Sequence, residues 1–201
     1  MGKDVAQIRQ VARVIGLLVA ATSAVPLEKL HYRHLETAKI NALHTAQGNF
    51  DAMMIILENM KSELAWWCSN AAVQDRAIFR SEPDIVIFTD ASTVGWGSSL
   101  HQQSTGGQWP LEETAMHINA LELKVILFTL RTFERELTDK HVKVFCDNTT
   151  AVTYVNEMGG TKSQACNDVA VMIWEWCIKH NAWVTCSHIP GENNLVADAA
   201  S

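Results

Sequence analysis

An acid at the end of a buried strand constrains this chain more than any other feature. Residues 84–89 read DIVIFT, a β-branched and apolar run that suits a strand covered on both faces. Asp90 follows at once, on the Val86 and Phe88 side. The pattern returns downstream, where residues 142–146 (VKVFC) form a further apolar strand and Asp147 ends it. A carboxylate among apolar neighbours is costly unless something pairs with it. Two more acids stand in comparable places. Glu122 lies within a long predicted helix with Ile118, Ile126 and Thr129 on its face, and Asp198 sits in the apolar run Leu195-Val196-Ala197-Asp198-Ala199. Taken singly, each has an ordinary explanation. Asp90 suits a turn, Asp147 a helix cap, Glu122 a lysine partner, and Asp198 the first turn of a helix, where the dipole favours it. Taken together, four acids from separate elements are explained by a common cation. Ligation by oxygen alone favours magnesium or manganese over zinc.

The pattern of the chain changes at Ser81-Glu82-Pro83. Before it, the apolar spacing predicts helices over residues 4–21, 27–45 and about 51–69. Thr22-Ser23-Ala24-Val25-Pro26 separates the first two, since proline removes a donor and restricts the residue before it. Gly48-Asn49 marks a turn before the third. After residue 81, strands are expected over 84–89, 93–100 and 108–111, the last two joined by a polar hairpin loop ending in Gly106-Gly107. A long helix over about 116–137, a strand over 142–146, helices near 149–157 and 163–180, and a strand over 182–189 follow, with a last helix starting at Asn194. Three antiparallel strands followed by alternating units predict an α/β fold, a mixed sheet with helices on it.

Composition narrows the function. Hydrophobic residues make up 48% and charged residues 19%, a globular mixture that excludes wholesale disorder. The formal net charge is −6, a poor footprint for a free-standing nucleic-acid binder. Residues 81–201 hold 7 Lys and Arg against 15 Asp and Glu, whereas residues 1–80 hold 9 against 7. Five cysteines form no C-x-x-C pair and read as reduced packing residues of an intracellular protein. The apolar stretch 14–25 is too short for a bilayer span, which needs roughly 20 residues. Trp66-Trp67, Trp174 and Trp176 read as packing residues, the last two being unable to share a helix face.

The motifs around the acids resemble the type-1 ribonuclease H domain. They are Thr89-Asp90-Ala91-Ser92, Leu121-Glu122-Leu123, Cys146-Asp147-Asn148 and Ala197-Asp198-Ala199, with His188 ten residues before Asp198. His117-Ile118-Asn119-Ala120-Leu121-Glu122, Gly159-Gly160-Thr161, Ile173-Trp174-Glu175-Trp176-Cys177 and His188-Ile189-Pro190-Gly191 are similar to the ribonuclease H of DIRS-like retrotransposons, which use a tyrosine recombinase. Leu30-His31-Tyr32-Arg33, Gly48-Asn49-Phe50-Asp51 and Ala65-Trp66-Trp67 resemble the segment that precedes it in those reverse transcriptases.

The resemblance implies a mixed five-stranded sheet flanked by helices over residues 81–201, its last helix cut short, behind a small helical, thumb- or connection-like segment over 1–80. It implies hydrolysis of the RNA strand of RNA–DNA hybrids by two magnesium ions, with manganese a substitute. Asp90, Glu122, Asp147 and Asp198 would be the ligands, and His188 a proton shuttle or an aid to product release. Ser92, Asn119, Asn148 and Thr149 would meet the substrate, although many family members carry glutamine where Thr149 stands. The hybrid and the polymerase domain of the parent enzyme are the implied partners, inside the cell, with no membrane. An inactive ribonuclease H-fold remnant serving as a scaffold is the alternative. A transposase or integrase on the same fold places its glutamate last, whereas here Glu122 comes second.

Overall fold

The computed structural model describes residues 4–21, 25, 27–71 and 82–194. The chain divides into two compact units, Met1–Phe79 and Arg80–Ser201.

In the first unit, strand β1 (Val5–Gln7) leads straight into helix α1 (Ile8–Ala20). A 3-10 turn at Glu28–His31 precedes α2 (Arg33–Thr45), strand β2 (Met53–Ile55) and α3 (Glu58–Asn70). Strands β1 and β2 pair antiparallel, with Ala6 opposite Met54. This corrects the all-helical expectation in three places. Residues 5–7 are strand rather than the first turn of α1, residues 28–31 are 3-10 rather than α-helix, and residues 53–55 are strand rather than the start of α3. Val5 and Met53 extend the apolar spacing of the helices beside them, but each is 52% or more exposed and lies in the two-stranded ribbon. The core is made by Ile8, Val11 and Ile15 of α1 with Tyr32, Leu35, Met54 and Met60.

A buried acid organises the start of α2. Glu63 of α3 accepts the backbone N–H groups of His34 and Leu35, at 2.9 Å each, and lies 2.9 Å from His34 Nδ1. These are first-turn amides that no residue inside the helix can satisfy. Tyr32, at the N-cap, supplies no side-chain acceptor, so the cap comes from another helix. Trp67 is buried and donates its indole N–H to the His31 carbonyl, while Trp66 stacks on the His31 ring at 3.7 Å.

In the second unit, β3 (Ile85–Ala91), β4 (Gly95–Leu100) and β5 (Gln103–Gln108) form an antiparallel meander. Helices α4 (Ile118–Thr132) and α5 (Glu134–Leu137) follow, then β6 (His141–Cys146), α6 (Thr149–Asn156), α7 (Gln164–Lys179) and β7 (Trp183–His188). The strand order is β5-β4-β3-β6-β7, and β6 lies parallel to both β3 and β7. This is the mixed five-stranded sheet expected from the sequence. The third strand is displaced from its expected place at 108–111, and the residues read as a polar loop are the strand itself. The reason is its position: β5 is an edge strand with almost every residue exposed, so Gln103 to Gln108 carry no apolar alternation. Only His101 and Gln102 turn the chain, His101 with φ at 53°.

The core of this unit includes Ile87, Leu121, Leu123, Ile126, Leu130, Val142, Val144 and Ile173, all fully buried. Each large side chain of this kind stabilises the fold by about 1.5–3 kcal/mol. Trp174 is fully buried, donates to the Val155 carbonyl and packs edge-on against Trp183. Trp176, on another side of α7, stacks on His180. All five cysteines are free thiols. Among the described residues no helix is long and apolar enough to cross a membrane.

Candidate active site

Strand register brings the first two acids level. The parallel pairing of β3 with β6 sets Ile85 opposite Val142 and Phe88 opposite Phe145, whose rings stack at 5.4 Å. The same offset continued two residues further sets Asp90 beside Asp147. The β6 ladder with β3 is over at that point, and the chain turns into α6. Glu122 joins them from α4, whose Leu121 and Val125 pack with Trp109 beside Ala91 and Trp96 of the sheet. The ligand oxygens of Asp90, Glu122 and Asp147 all lie within 4.8 Å of one another. Asp90 and Glu122 are buried, and Asp147 is the most open of the three.

Three carboxylates at this distance cannot all ionise cheaply in a poorly solvated place. Burial first, then the Cys146 sulfur and the Asp147 and Asp90 carboxylates, push the Glu122 carboxyl up to about 9, against one lowering hydrogen bond from the Ala91 backbone. Glu122 Oε2 is buried with no hydrogen-bond partner among the described residues. A buried carboxylate oxygen rarely stays unsatisfied. The donor set is hard oxygen, it carries excess negative charge, and one of its oxygens lacks a partner among the described residues. These residues therefore fit a divalent cation of the magnesium or manganese kind.

The ordinary explanations for Glu122, Asp147 and Asp90 fall to their neighbours. Lys124 pairs with Glu113 rather than with Glu122. Asn148 rather than Asp147 caps α6, its Oδ1 accepting from Ala151 N at 2.9 Å. Ser92 rather than Asp90 builds the turn after β3, its hydroxyl accepting from Gly95 N at 2.9 Å and Val94 N at 3.2 Å. That engagement also defines what Ser92 has left for a substrate: its amide is bound to the Gly95 carbonyl and its own carbonyl to the Trp109 indole.

The other expected residues distribute as follows. Asn119 and Asn148 meet, with Asn148 Nδ2 donating to Asn119 Oδ1 at 2.9 Å. Thr149 is exposed in the first turn of α6. His188 is exposed at the end of β7, paired with Cys146 and so next to Asp147, but outside the close set of ligand atoms. Asp198, and the helix expected from Asn194 onward, lie outside the described residues.

Two contributors to the site escaped sequence reasoning. A Cβ placed on Gly191 would lie 3.3 Å from Asp147 Oδ2, so a bare backbone closes on that carboxylate. Asn194 is 1% exposed and its side chain reaches β3, one residue before Asp90. Gly191 belongs to the quoted His188-to-Gly191 motif, which was its only signal.

Sheet order, helix placement and this trio define a ribonuclease H-like fold. Residues 80–177, just under half of the chain, match the family described as the RNase H-like domain found in reverse transcriptase. LC11-RNase H1, recovered from compost and solved with an RNA/DNA hybrid, aligns with a TM-score of 0.50 at 18% identity, covering 58% of this chain and 93% of its own. RNase H1 of Halobacterium salinarum aligns with a TM-score of 0.49 at 16% identity, over 58% and 92%. The foamy viral protease-reverse transcriptase aligns over 94% of this chain and 35% of its own, at 12% identity and a TM-score of 0.39. Nothing among curated proteins matches the chain.

Proposed function

We propose that the second unit cleaves the RNA strand of RNA–DNA hybrids endonucleolytically, as the ribonuclease H domain of a retrotransposon reverse transcriptase. The observation that carries this reading is the convergence of Asp90, Glu122 and Asp147, one buried Glu122 oxygen having no partner among the described residues. The DIRS-like assignment of the parent element rests on the sequence motifs alone, as does the reading of residues 1–80 as a thumb- or connection-like segment.

Asp90, Glu122 and Asp147 would hold two magnesium or manganese ions, with Asp198 completing the set. When bound, such ions supply an activated water and charge stabilisation at the scissile phosphate. The protein's own part is to hold the carboxylates level through the β3–β6 register and to keep Glu122 out of bulk water. Asn119 and Asn148 present an amide pair beside the acids, and a 2′-hydroxyl is both donor and acceptor, so it suits such a pair. His188 is open to solvent next to Asp147, where it can take up or release a proton during turnover. The acidic balance of residues 81–201 predicts weak grip on the hybrid by this unit, because phosphate contacts need Lys or Arg. The polymerase domain of the parent enzyme would supply that grip.

The test is cleavage of an end-labelled hybrid with Mg²⁺, comparing the chain with Asp147→Asn. Loss of a metal ligand removes several kcal/mol of charge stabilisation, so the variant is expected to fall by more than roughly 100-fold. Equal cleavage by both proteins overturns the assignment and leaves an inactive scaffold.

A further inference from the structure

The turn after β7 touches both halves of the acidic site. Ile189 N donates to the Cys146 carbonyl at 3.0 Å, which carries the β6–β7 ladder past its last paired strand residue. A 3-10 turn at Gly191–Asn193 follows, closed by a 2.9 Å bond from Asn194 N to the Gly191 carbonyl. Gly191 stands against Asp147 Oδ2. Asn194 Nδ2 then donates to the Thr89 carbonyl at 3.0 Å, across 105 residues of sequence. Thr89 is itself fully buried, and its hydroxyl lies 3.5 Å from the Phe145 carbonyl of β6. Asn194 Oδ1 is buried with no partner among the described residues.

A buried amide is costly to desolvate, so the bond it makes must help to repay that cost. Asn194 places it on the main chain of the residue before Asp90, where the β3–β6 ladder has stopped and the Thr89 carbonyl would otherwise lack a strand partner. Gly191, three residues earlier, meets the other aspartate. The turn therefore bridges the two strand-end acids from outside the sheet.

Resting on the nuclease reading above, we infer that residues 189–194 act as a clamp that sets the spacing of Asp90 and Asp147, with Asn194 as a positioning residue and Gly191 as the point of contact. Neither touches the reacting atoms; each acts through an acid. Removing the Asn194 amide releases the Thr89 carbonyl on the β6 side of β3, and a methyl group on Gly191 displaces the Asp147 carboxylate by a few tenths of an ångström. Both changes loosen cation binding before they unfold the protein.

The experiment uses the full chain and Mn²⁺ as the probe. Mn²⁺ affinity is read by electron paramagnetic resonance, alongside thermal unfolding and hybrid cleavage, for the unaltered chain, Asn194→Ala and Gly191→Ala. The expected result is a Mn²⁺ dissociation constant raised about 10-fold by each variant, equal to about 1.4 kcal/mol, with kcat lowered and KM for the hybrid unchanged. A role confined to stability would lower the unfolding temperature and leave the Mn²⁺ constant of the folded fraction where it was, and that outcome overturns the clamp. Should Asn194→Ala fail to fold, Gly191→Ala decides, since it alters only the Asp147 side. If the unaltered chain binds no Mn²⁺ and cleaves no hybrid, the nuclease reading fails instead; if it does both and the variants match it, the clamp alone fails.

Discussion

Asn148 ties two helix starts together: its Nδ2 donates to Asn119 Oδ1 at 2.9 Å while its Oδ1 caps α6 through Ala151 N. Both ends of one amide are therefore committed. Asn148→Ala loses the cap, worth about 0.5–2 kcal/mol, and frees Asn119. Asn148→Asp keeps the cap and loses the donor. Chemical denaturation is expected to show a clear loss for Ala and little for Asp. Both variants are expected to raise KM for a hybrid, which steady-state cleavage measures.

Glu122 makes the metal-free protein sensitive to pH. Its carboxyl sits at about 9 in the folded chain against an ordinary 4.5. Between those values the folded state holds a proton that the unfolded state has lost, so stability falls as pH rises. The contribution is fully present below about 4.5 and is lost on passing through about 9. In EDTA, the unfolding temperature is expected to drop from pH 5 to pH 9 in the native chain. Glu122→Gln, which has nothing to ionise there, should flatten that slope. Added Mg²⁺ should restore the native chain at pH 8 and do little for the variant.

Gly160 is required by a neighbour. A Cβ there would lie 3.0 Å from both Cε1 and Cζ of Tyr154. The ring is buried and tethered, since the Tyr154 hydroxyl accepts from Ser163 N at 2.8 Å at the entry to α7. Overpacking of this kind costs about 1–3 kcal/mol. Gly160→Ala is expected to lower stability by that amount in urea denaturation, and Gly160→Ala with Tyr154→Leu should recover part of it.

Glu63 caps the start of α2 from α3. Glu63→Ala leaves the His34 and Leu35 amides without their acceptor, and a buried donor so exposed costs about 1–3 kcal/mol. Glu63→Gln retains one acceptor and should fall between. Hydrogen exchange at the Leu35 amide reads the effect directly.

These residues also mark how far the sequence could be read. Strands β3 and β6 announced themselves because their cores, IVIF and VKVF, are apolar beyond what a loop tolerates. Asp90, Glu122 and Asp147 were visible for the converse reason, as charges where charge is expensive. Strand β5 was misplaced because an edge strand carries no apolar alternation, and the β1–β2 ribbon was absorbed into helices because three residues are too few to show a period. The Asn194 bond had no signal at all. It ends on a main-chain carbonyl, which every residue possesses, 105 positions away.

The polar edge has a further consequence for how this molecule meets its own kind. A strand from a second molecule laid along β5 would gain backbone bonds beside Gly106 and Gly107 but find no greasy surface to cover. Polymerisation through that rim is thereby unrewarding. The protein protects this edge strand by giving it nothing worth sticking to.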